Sequence, residues 1–478
     1  MIKRISLLLV AVLLLGALSV SFVGCTNGNA DGEDTVNTSG NTQETGEGYV
    51  ADGLPSKNFG GDKVIILTPT WRNTPDYILQ KELKGEAVNS AMVSAYYAVK
   101  ERFNVEIELS IPGDQKVVQS TVESETLAGE KSFDIVYNHD LRTVANAVNG
   151  CFLDIKSMEL VDLEKPWWTK SSKDFQVSNK LYFTSSYLGI WAPYMNFGLY
   201  YNKNLARDNQ ITMPYDDIIA GEWYIEDMIQ MTQNMNNDLD GNGEINEKDR
   251  YGFVTGYHGN VSAQTNLVGS FLSKDSKGND TIKVDVEKFS GFMQTMSKLY
   301  DNGSDDYSDF INIFTAGRSL FVFTETRILV ENRNDITFSW GMIPFPKYDE
   351  NQEEYSSAGY DLYWGVNRNV FDRQEIVATV IEALSCQNYN NVIPVVWEEF
   401  LGLKLSENQI DYNMVCIVRD ASFVNPDYVY GDQILGMSDL LNLWESSDVS
   451  SLSSHITAKT SLAKVSLKLF VDKIKALP

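Results

Sequence analysis

From Lys63 onward the sequence keeps returning to one pattern, a short apolar run followed by a segment of helical spacing. This alternation restricts the chain to layered α/β architecture. Residues 64–67 form a buried-strand run. Residues 89–103 place Met92, Tyr96, Val99 and Phe103 at helical spacing, and residues 105–109 alternate as a strand. Residues 117–127 predict a helix, and residues 133–137 a strand that ends at Asn138, His139 and Asp140. Residues 181–183 and 195–201 predict two more strands around an aromatic loop at 187–194. Residues 222–235 carry Ile225, Met228, Ile229 and Met235 on one helical face. A strand at 319–323 runs into Thr324, Glu325, Thr326 and Arg327, a strand spans 361–367, and a helix spans 375–385. A mainly parallel sheet built this way collects ligands at the carboxyl ends of its strands.

The first 25 residues stand apart from that pattern. Lys3 and Arg4 precede an apolar run at 7–18, and Phe22-Val23-Gly24-Cys25 follows. A positive start and an apolar core too short for a comfortable span describe a secretion signal, residues 1–24. The end of it resembles the lipobox of bacterial lipoproteins: Gly24 and Cys25 fit, while Phe22 and Val23 depart at the two looser positions. Cleavage before Cys25 would make its thiol the site of lipidation, so that the protein is exported and tethered rather than spanning. Alternatives are an ordinary cleaved signal or an uncleaved anchor. Residues 25–58 are dominated by Asn, Gly, Thr, Glu and Asp, with little to bury, and predict a disordered tether.

The 420 residues from Phe59 on exceed what one hydrophobic core holds and fit two domains. Removing Lys3 and Arg4 with the signal takes the net charge from −26 to −28 (−26 − 2), a field that repels phosphate backbones and argues against nucleic acid. Cys151, Cys386 and Cys416 read as buried thiols, with a Cys386–Cys416 bridge as the alternative. His139, His258 and His455 lack metal-binding spacing with one another or with Cys.

One segment does carry metal chemistry. Residues 238–249 place Asp238, Asp240, Asn242, Glu244 (through its carbonyl), Asn246 and Asp249 at the positions from which an EF-hand loop converges oxygens on calcium. Gly243 supplies the sharp turn, and Ile245 is expected to pin the loop to the core. Asp249 stands where a longer bidentate Glu is usual, which shortens reach. The expectation is a single structural calcium clip; the alternative is a metal-free acidic turn.

The chain resembles the extracellular solute-binding lipoproteins of ABC importers, family 1, the carbohydrate group of Gram-positive type. The marks are Lys165-Pro166-Trp167-Trp168, Lys180-Leu181-Tyr182-Phe183, Tyr200-Tyr201-Asn202-Lys203-Asn204-Leu205, Gly221-Glu222-Trp223, the aspartate-rich loop before Arg250-Tyr251-Gly252-Phe253, Ala316-Gly317-Arg318-Ser319-Leu320-Phe321, and Trp340-Gly341-Met342-Ile343-Pro344-Phe345-Pro346. Each is weak alone; their order carries the likeness. It implies a two-lobed periplasmic-binding-protein-like α/β fold of type II, the lobes joined by crossing hinge strands near 185–188 and 358–362. Lobe 1 would be 60–186 with 361–405. Lobe 2 would be 187–360 with 406–478, including C-terminal helices packed largely on it.

The implied function is capture of a sugar or oligosaccharide and delivery to ABC permease subunits. The chain would work as a monomer, lipid-anchored at the extracellular face of the cell membrane, and not as an enzyme. Sugar clefts mix aromatic faces with hydrogen-bonding side chains. The candidates are therefore Trp71, Arg72, His139, Asp140, Tyr187, Trp191, Tyr257, Glu325, Arg327, Tyr360, Asp361 and Trp364, whereas Trp223 and Trp340 read as core and Trp167 and Trp168 as cover for lobe 1. Two other classes compete. A surface glycoside hydrolase would set Asp140 against Glu325 or Asp361; a sensing or adhesion lipoprotein would bind without transport.

Overall fold

The computed structural model describes residues 48–301, 303–304, 309–400, 409–443 and 451–477. The expected signal, Cys25 and the tether as far as residue 47 lie outside the described residues. One unit spans Asp52–Pro478, and it begins earlier than composition suggested. Arg102 donates from both Nη atoms to the Asp52 carboxylate at 2.7 and 3.0 Å, which fixes a residue expected in the tether.

In chain order the strands are β1 (Asp62–Leu67), β2 (Val105–Ser110), β3 (Ile135–Asn138), β4 (Phe197–Asn202), β5 (Tyr251–Thr255), β6 (Leu272–Lys274), β7 (Asp280–Ile282), β8 (Gly303–Ser304), β9 (Ser319–Glu325), β10 (Trp340–Ile343), β11 (Ser357–Gly359), β12 (Tyr363–Val366) and β13 (Ser422–Val424). The first sheet has the order β12-β3-β1-β2, with β1 parallel to β2 and β3 and β12 antiparallel to β3. The second has the order β10-β4-β9-β5-β8, with β5 parallel to β8 and β9. Each sheet is the centre of one lobe.

Local chemistry sets the element ends in the first lobe. The helix Ala87–Phe103 buries Met92, Tyr96, Val99 and Phe103 and stops where Asn104 turns left-handed at φ 47. The helix Gln115–Ala128 starts where the Asp114 carboxylate accepts the Lys116 and Val117 N–H groups, and ends at Gly129, φ 74.

Three stretches of chain cross between the lobes. Thr184 and Trp364 exchange backbone hydrogen bonds at 3.0 and 2.9 Å, so the outgoing pass runs beside β12. The returning pass, β11, pairs in parallel with β13. Here Gly359 lies so close to the first pass that a Cβ on it would meet the Met195 carbonyl at 2.7 Å, a contact only glycine avoids. The third pass, through β13, reaches the first lobe where the Val424 N–H donates to Ser171 Oγ at 2.9 Å.

Several expectations need correction. Residues 181–183 form no strand; an isolated bridge at Thr184 is the only ladder contact there. The helix expected over 222–235 is confined to Ile225–Thr232, held at its start by the Tyr224 and Asp227 capping box. Cys151 and Cys386 are buried free thiols as expected, the alternative Cys386–Cys416 bridge is absent, and Cys416 is half-buried where a buried thiol was expected. The C-terminal helix Leu452–Lys475 packs on β7 and the helix Val286–Asp301 of the second lobe, yet the chain after it also reaches the first, where Lys180 Nζ donates to the Leu477 carbonyl at 2.5 Å.

The Lys165-Pro166-Trp167-Trp168 segment is clamped by Glu382, whose carboxylate accepts the Trp167 indole N–H at 2.6 Å and the Asp162 N–H at 2.8 Å. Glu382 is 1% exposed. Glu382→Ala leaves two donors in a dry site without an acceptor, and should lower the unfolding free energy measured in urea by about 3 kcal/mol.

Candidate functional site

The chain turns at the carboxyl ends of strands in both sheets place polar and aromatic side chains around one gap. After β1, a short 3-10 segment Trp71–Tyr77 carries Trp71, Arg72 and Tyr77. Arg72 and Asn73 are consecutive non-glycine residues in the left-handed region, φ 46 and 57, a conformation costing about 1 kcal/mol or more each. It sets the Arg72 guanidinium 4.6 Å from the Trp71 ring centroid. After β3, His139 stands immediately before the helix Asp140–Val148, its Nδ1 against the Asp140 carboxylate. The His139 ring meets Trp71 edge-on at 5.0 Å.

From the other sheet, β5 leads into Tyr257 and His258 at the start of the helix Tyr257–Val268, and β9 leads into Glu325 and the helix Thr326–Asn332 with Arg327. Glu325, 3% exposed, accepts the Tyr360 hydroxyl and, at 3.1 Å, that of Thr324. Arg327 donates to Glu331 at 2.5 Å. Tyr360 lies 5.0 Å from the His258 ring and 5.8 Å from Tyr428. These three rings line a small recess together with Phe197, Val261 and Thr265.

Groups of the two lobes sense each other across the gap. Burial pushes the His258 imidazole below its ordinary value; Glu325 and Asp140 oppose that shift, while Arg72 and His139 add to it. At one end of the gap the short helix Trp191–Tyr194 supplies an aromatic wall: Trp191 is 5.9 Å from Trp71 and 4.6 Å from Tyr77, and Tyr77 is 5.0 Å from Tyr194. Trp191 Nε1 and Arg327 Nε are buried donors with no protein acceptor.

The structure thus gathers Trp71, Arg72, His139, Asp140, Trp191, Tyr257, Glu325, Arg327 and Tyr360. It does not gather Trp364 or Tyr187. Trp364 is fully buried, packs 5.7 Å from Trp168 and donates its indole N–H to Ser186 Oγ at 3.1 Å, so its role is packing at the crossing. Tyr187 stacks on Tyr389 instead, 6.2 Å away. The Tyr257 hydroxyl is engaged by Asn442 at 2.7 Å, leaving its ring to face His258. Sequence reasoning missed Tyr77, Tyr194, His258 and Tyr428. His258 adjoins Tyr257, and Tyr77 and Tyr194 share the short helical segments of Trp71 and Trp191, whereas Tyr428 arrives from the third crossing with no local signal.

The acidic loop is a second, separate cluster. One carboxylate oxygen from each of Asp238, Asp240 and Asp249 lies within 4.8 Å of the others. Asp238 accepts the Gly241 and Gly243 N–H groups, both at 2.7 Å, and Asp249 accepts those of Leu239 and Asn246 at 2.7 and 2.8 Å. Asn242 and the Glu244 carbonyl belong to the same turn, the latter 3.4 Å from Asn246 Nδ2. Ile245 is 47% exposed and does not anchor the loop, which is closed instead by the paired Asn237 and Arg250 at its base.

No protein-family model and no curated protein matches the sequence. Solved structures do match in shape. The M. tuberculosis protein UspC superposes with a TM-score of 0.53 at 13% identity, over 84% of this chain and 100% of that one. A sugar transporter of Rhizobium etli in an open conformation gives 0.54 at 13% over 87% and 100%. The maltose/maltodextrin-binding domain MalE of Bdellovibrio bacteriovorus, bound to maltotriose, gives 0.50 at 15% over 85% and 99%. The chain has the two-lobed solute-binding-protein fold. At these identities the likeness establishes architecture and leaves the ligand to the site itself.

Asp361 lies on the returning pass beside this site, 2% exposed, with Oδ1 accepting the Leu362 N–H at 2.7 Å and Oδ2 without a partner. Burial pushes its carboxyl up to about 8, against the pull of the Leu362 amide and of the Ser185 hydroxyl. The folded state therefore holds a proton that the unfolded state, titrating near ~4, has released. Stability from this group is full below that lower value and declines as pH rises toward 8. Urea unfolding at a series of pH values should show this decline, and Asp361→Asn should make it shallower, the remainder coming from Glu382 and Asp427, which burial also pushes up to about 7.

Proposed function

We propose that this chain is a membrane-tethered extracellular solute-binding protein that captures a sugar or oligosaccharide and delivers it unaltered to the permease of an ABC transporter. The observation carrying the reading is the mixture in the gap: Trp71 and Tyr360 offer faces for the C–H side of a pyranose, with the buried Trp191 packed behind Trp71, while Asp140, Glu325, Arg72 and Arg327 offer hydrogen bonds for its hydroxyl edge. The maltotriose on the MalE domain, and the maltotetraose on a cyclo/maltodextrin-binding protein of TM-score 0.50, support a carbohydrate guest.

In this reading residues 1–24 direct export, Cys25 carries lipid, the tether runs from 25 to the start of the folded unit at Asp52, and a monomer works at the outer face of the membrane. The two lobes take 60–186 with 361–405 and 187–360 with 406–478. The hydrolase alternative is disfavoured because Asp140 is held by His139, Glu325 by Tyr360 and Thr324, and Asp361 is buried at the crossing. Ligand would select a closed arrangement of lobes already sampled without it.

Calorimetry against a glycan panel tests the function, and binding of no carbohydrate would sink it. With the guest identified, Trp71→Ala should raise Kd roughly tenfold, the size of one stacking contact, while Tyr187→Phe leaves it unchanged.

Calcium in the 238–249 loop belongs to the same proposal. The donors are all oxygen, as a hard cation requires: Asp238, Asp240 and Asp249 carboxylates, the Asn242 and Asn246 amides, and the Glu244 carbonyl. Adding calcium to chelator-treated protein should raise Tm by several degrees and protect the loop from protease, and Asp238→Ala should abolish both effects.

A further inference from the structure

The helix Leu452–Lys475 has two apolar faces, and the described residues cover only one. Leu452, Ile456, Leu467, Phe470 and Ile474 are buried against the body. On the opposite side Leu462, Val465 and Leu469 are 43, 63 and 68% exposed, and with Ala458 and Ala476 they fall in an arc of about 60° at helical pitch. A neighbouring turn extends the patch. Leu435, 65% exposed, donates its N–H to Ser466 Oγ at 2.8 Å, and Gly436 beside it is so near the helix that a Cβ there would lie 3.4 Å from that of Leu462.

Charge borders this stripe. Lys473 flanks one edge, and past the other, beyond Asp472 and Ser461, stand Lys468, Lys475 and Lys464, all four lysines exposed. With Lys459, which pairs with Asp439, the helix holds five lysines against the single acid Asp472, a net of +4 (5 − 1) in a chain of net charge −26. A solvated face needs no exposed row of Leu and Val, and a buried face would not be edged by lysines. Apolar side chains between lysines whose stems can lie along them is the arrangement of a helix at a lipid interface.

We propose that this helix rests on an anionic lipid surface, with Leu435, Leu462, Val465 and Leu469 entering the headgroup boundary and Lys464, Lys468, Lys473 and Lys475 meeting lipid phosphates. Charge decides among occupants. A second copy docked through the same face would oppose lysine to lysine, whereas anionic headgroups answer the lysines directly. The acidic remainder of the chain is repelled by such a surface, so the contact would also fix which side of the body faces it. The inference does not depend on what the cleft binds or on lipid at Cys25.

The test is sedimentation of the chain from Thr26 onward, which carries no lipid, with phosphatidylglycerol vesicles and with phosphatidylcholine vesicles. Binding is expected to phosphatidylglycerol and not to phosphatidylcholine, and to fall with salt. The triple variants Lys464→Glu/Lys468→Glu/Lys475→Glu and Leu462→Ser/Val465→Ser/Leu469→Ser should each weaken it more than about tenfold. Both change only exposed positions, and circular dichroism and cleft binding verify their fold. Equal binding to the two lipids, or variants that bind like the parent, would overturn the proposal. So would a parent dimer that the apolar variant turns into a monomer, since a second copy would then be the occupant.

Discussion

The paired passes of chain between the sheets are the constraint on which the site depends. Thr184 and Trp364 hold the outgoing and returning strands together through reciprocal backbone bonds, Trp364 then anchors Ser186 through its indole, and β11 with β13 adds a further parallel pair. Backbone ladders of this kind contribute about 1 kcal/mol per bond and bend more readily than a sheet packed on both faces breaks. The crossing is therefore where the lobes can move relative to each other while each lobe keeps its core. It also sets which strand ends face the gap: β1 and β3 from one side, β5 and β9 from the other.

That arrangement explains why so much of the first lobe was legible in the sequence. Apolar spacing over 89–103, the Asp114 cap and the Gly129 stop are local signals, and the helices Ala87–Phe103 and Gln115–Ala128 follow them within a few residues. The expectation that Trp71, His139, Asp140 and Glu325 lie at or just past carboxyl ends of strands matches where the structure places them. What failed had no local signal. Trp364 sits in a strand covered on both faces, where alternation does not say which side chains meet solvent, and burial came from Trp168, almost two hundred residues away in sequence. Residues 181–183 have strand composition, yet only Thr184 finds a partner. Ile245 occupies a position suited to anchoring a loop, but no apolar surface is brought to it.

The cleft's charges explain how so acidic a chain can suit a neutral guest. Its acids and bases are largely matched within the protein: Arg327 to Glu331, His139 to Asp140, the Tyr360 hydroxyl to Glu325. A cationic or anionic ligand would have to break such a pair and leave one member buried and uncompensated, which costs more than the new contact returns. A polyhydroxyl ligand breaks none of them. Its hydroxyls can donate to carboxylate oxygens that still have lone pairs, and accept from Trp191 Nε1 and Arg327 Nε, the buried donors for which the fold supplies no acceptor. On the proposed reading, the partly exposed aromatic rings would add what charge cannot: a face that tells a sugar, with its apolar side, from water and from small polar solutes of equal hydrogen-bonding capacity.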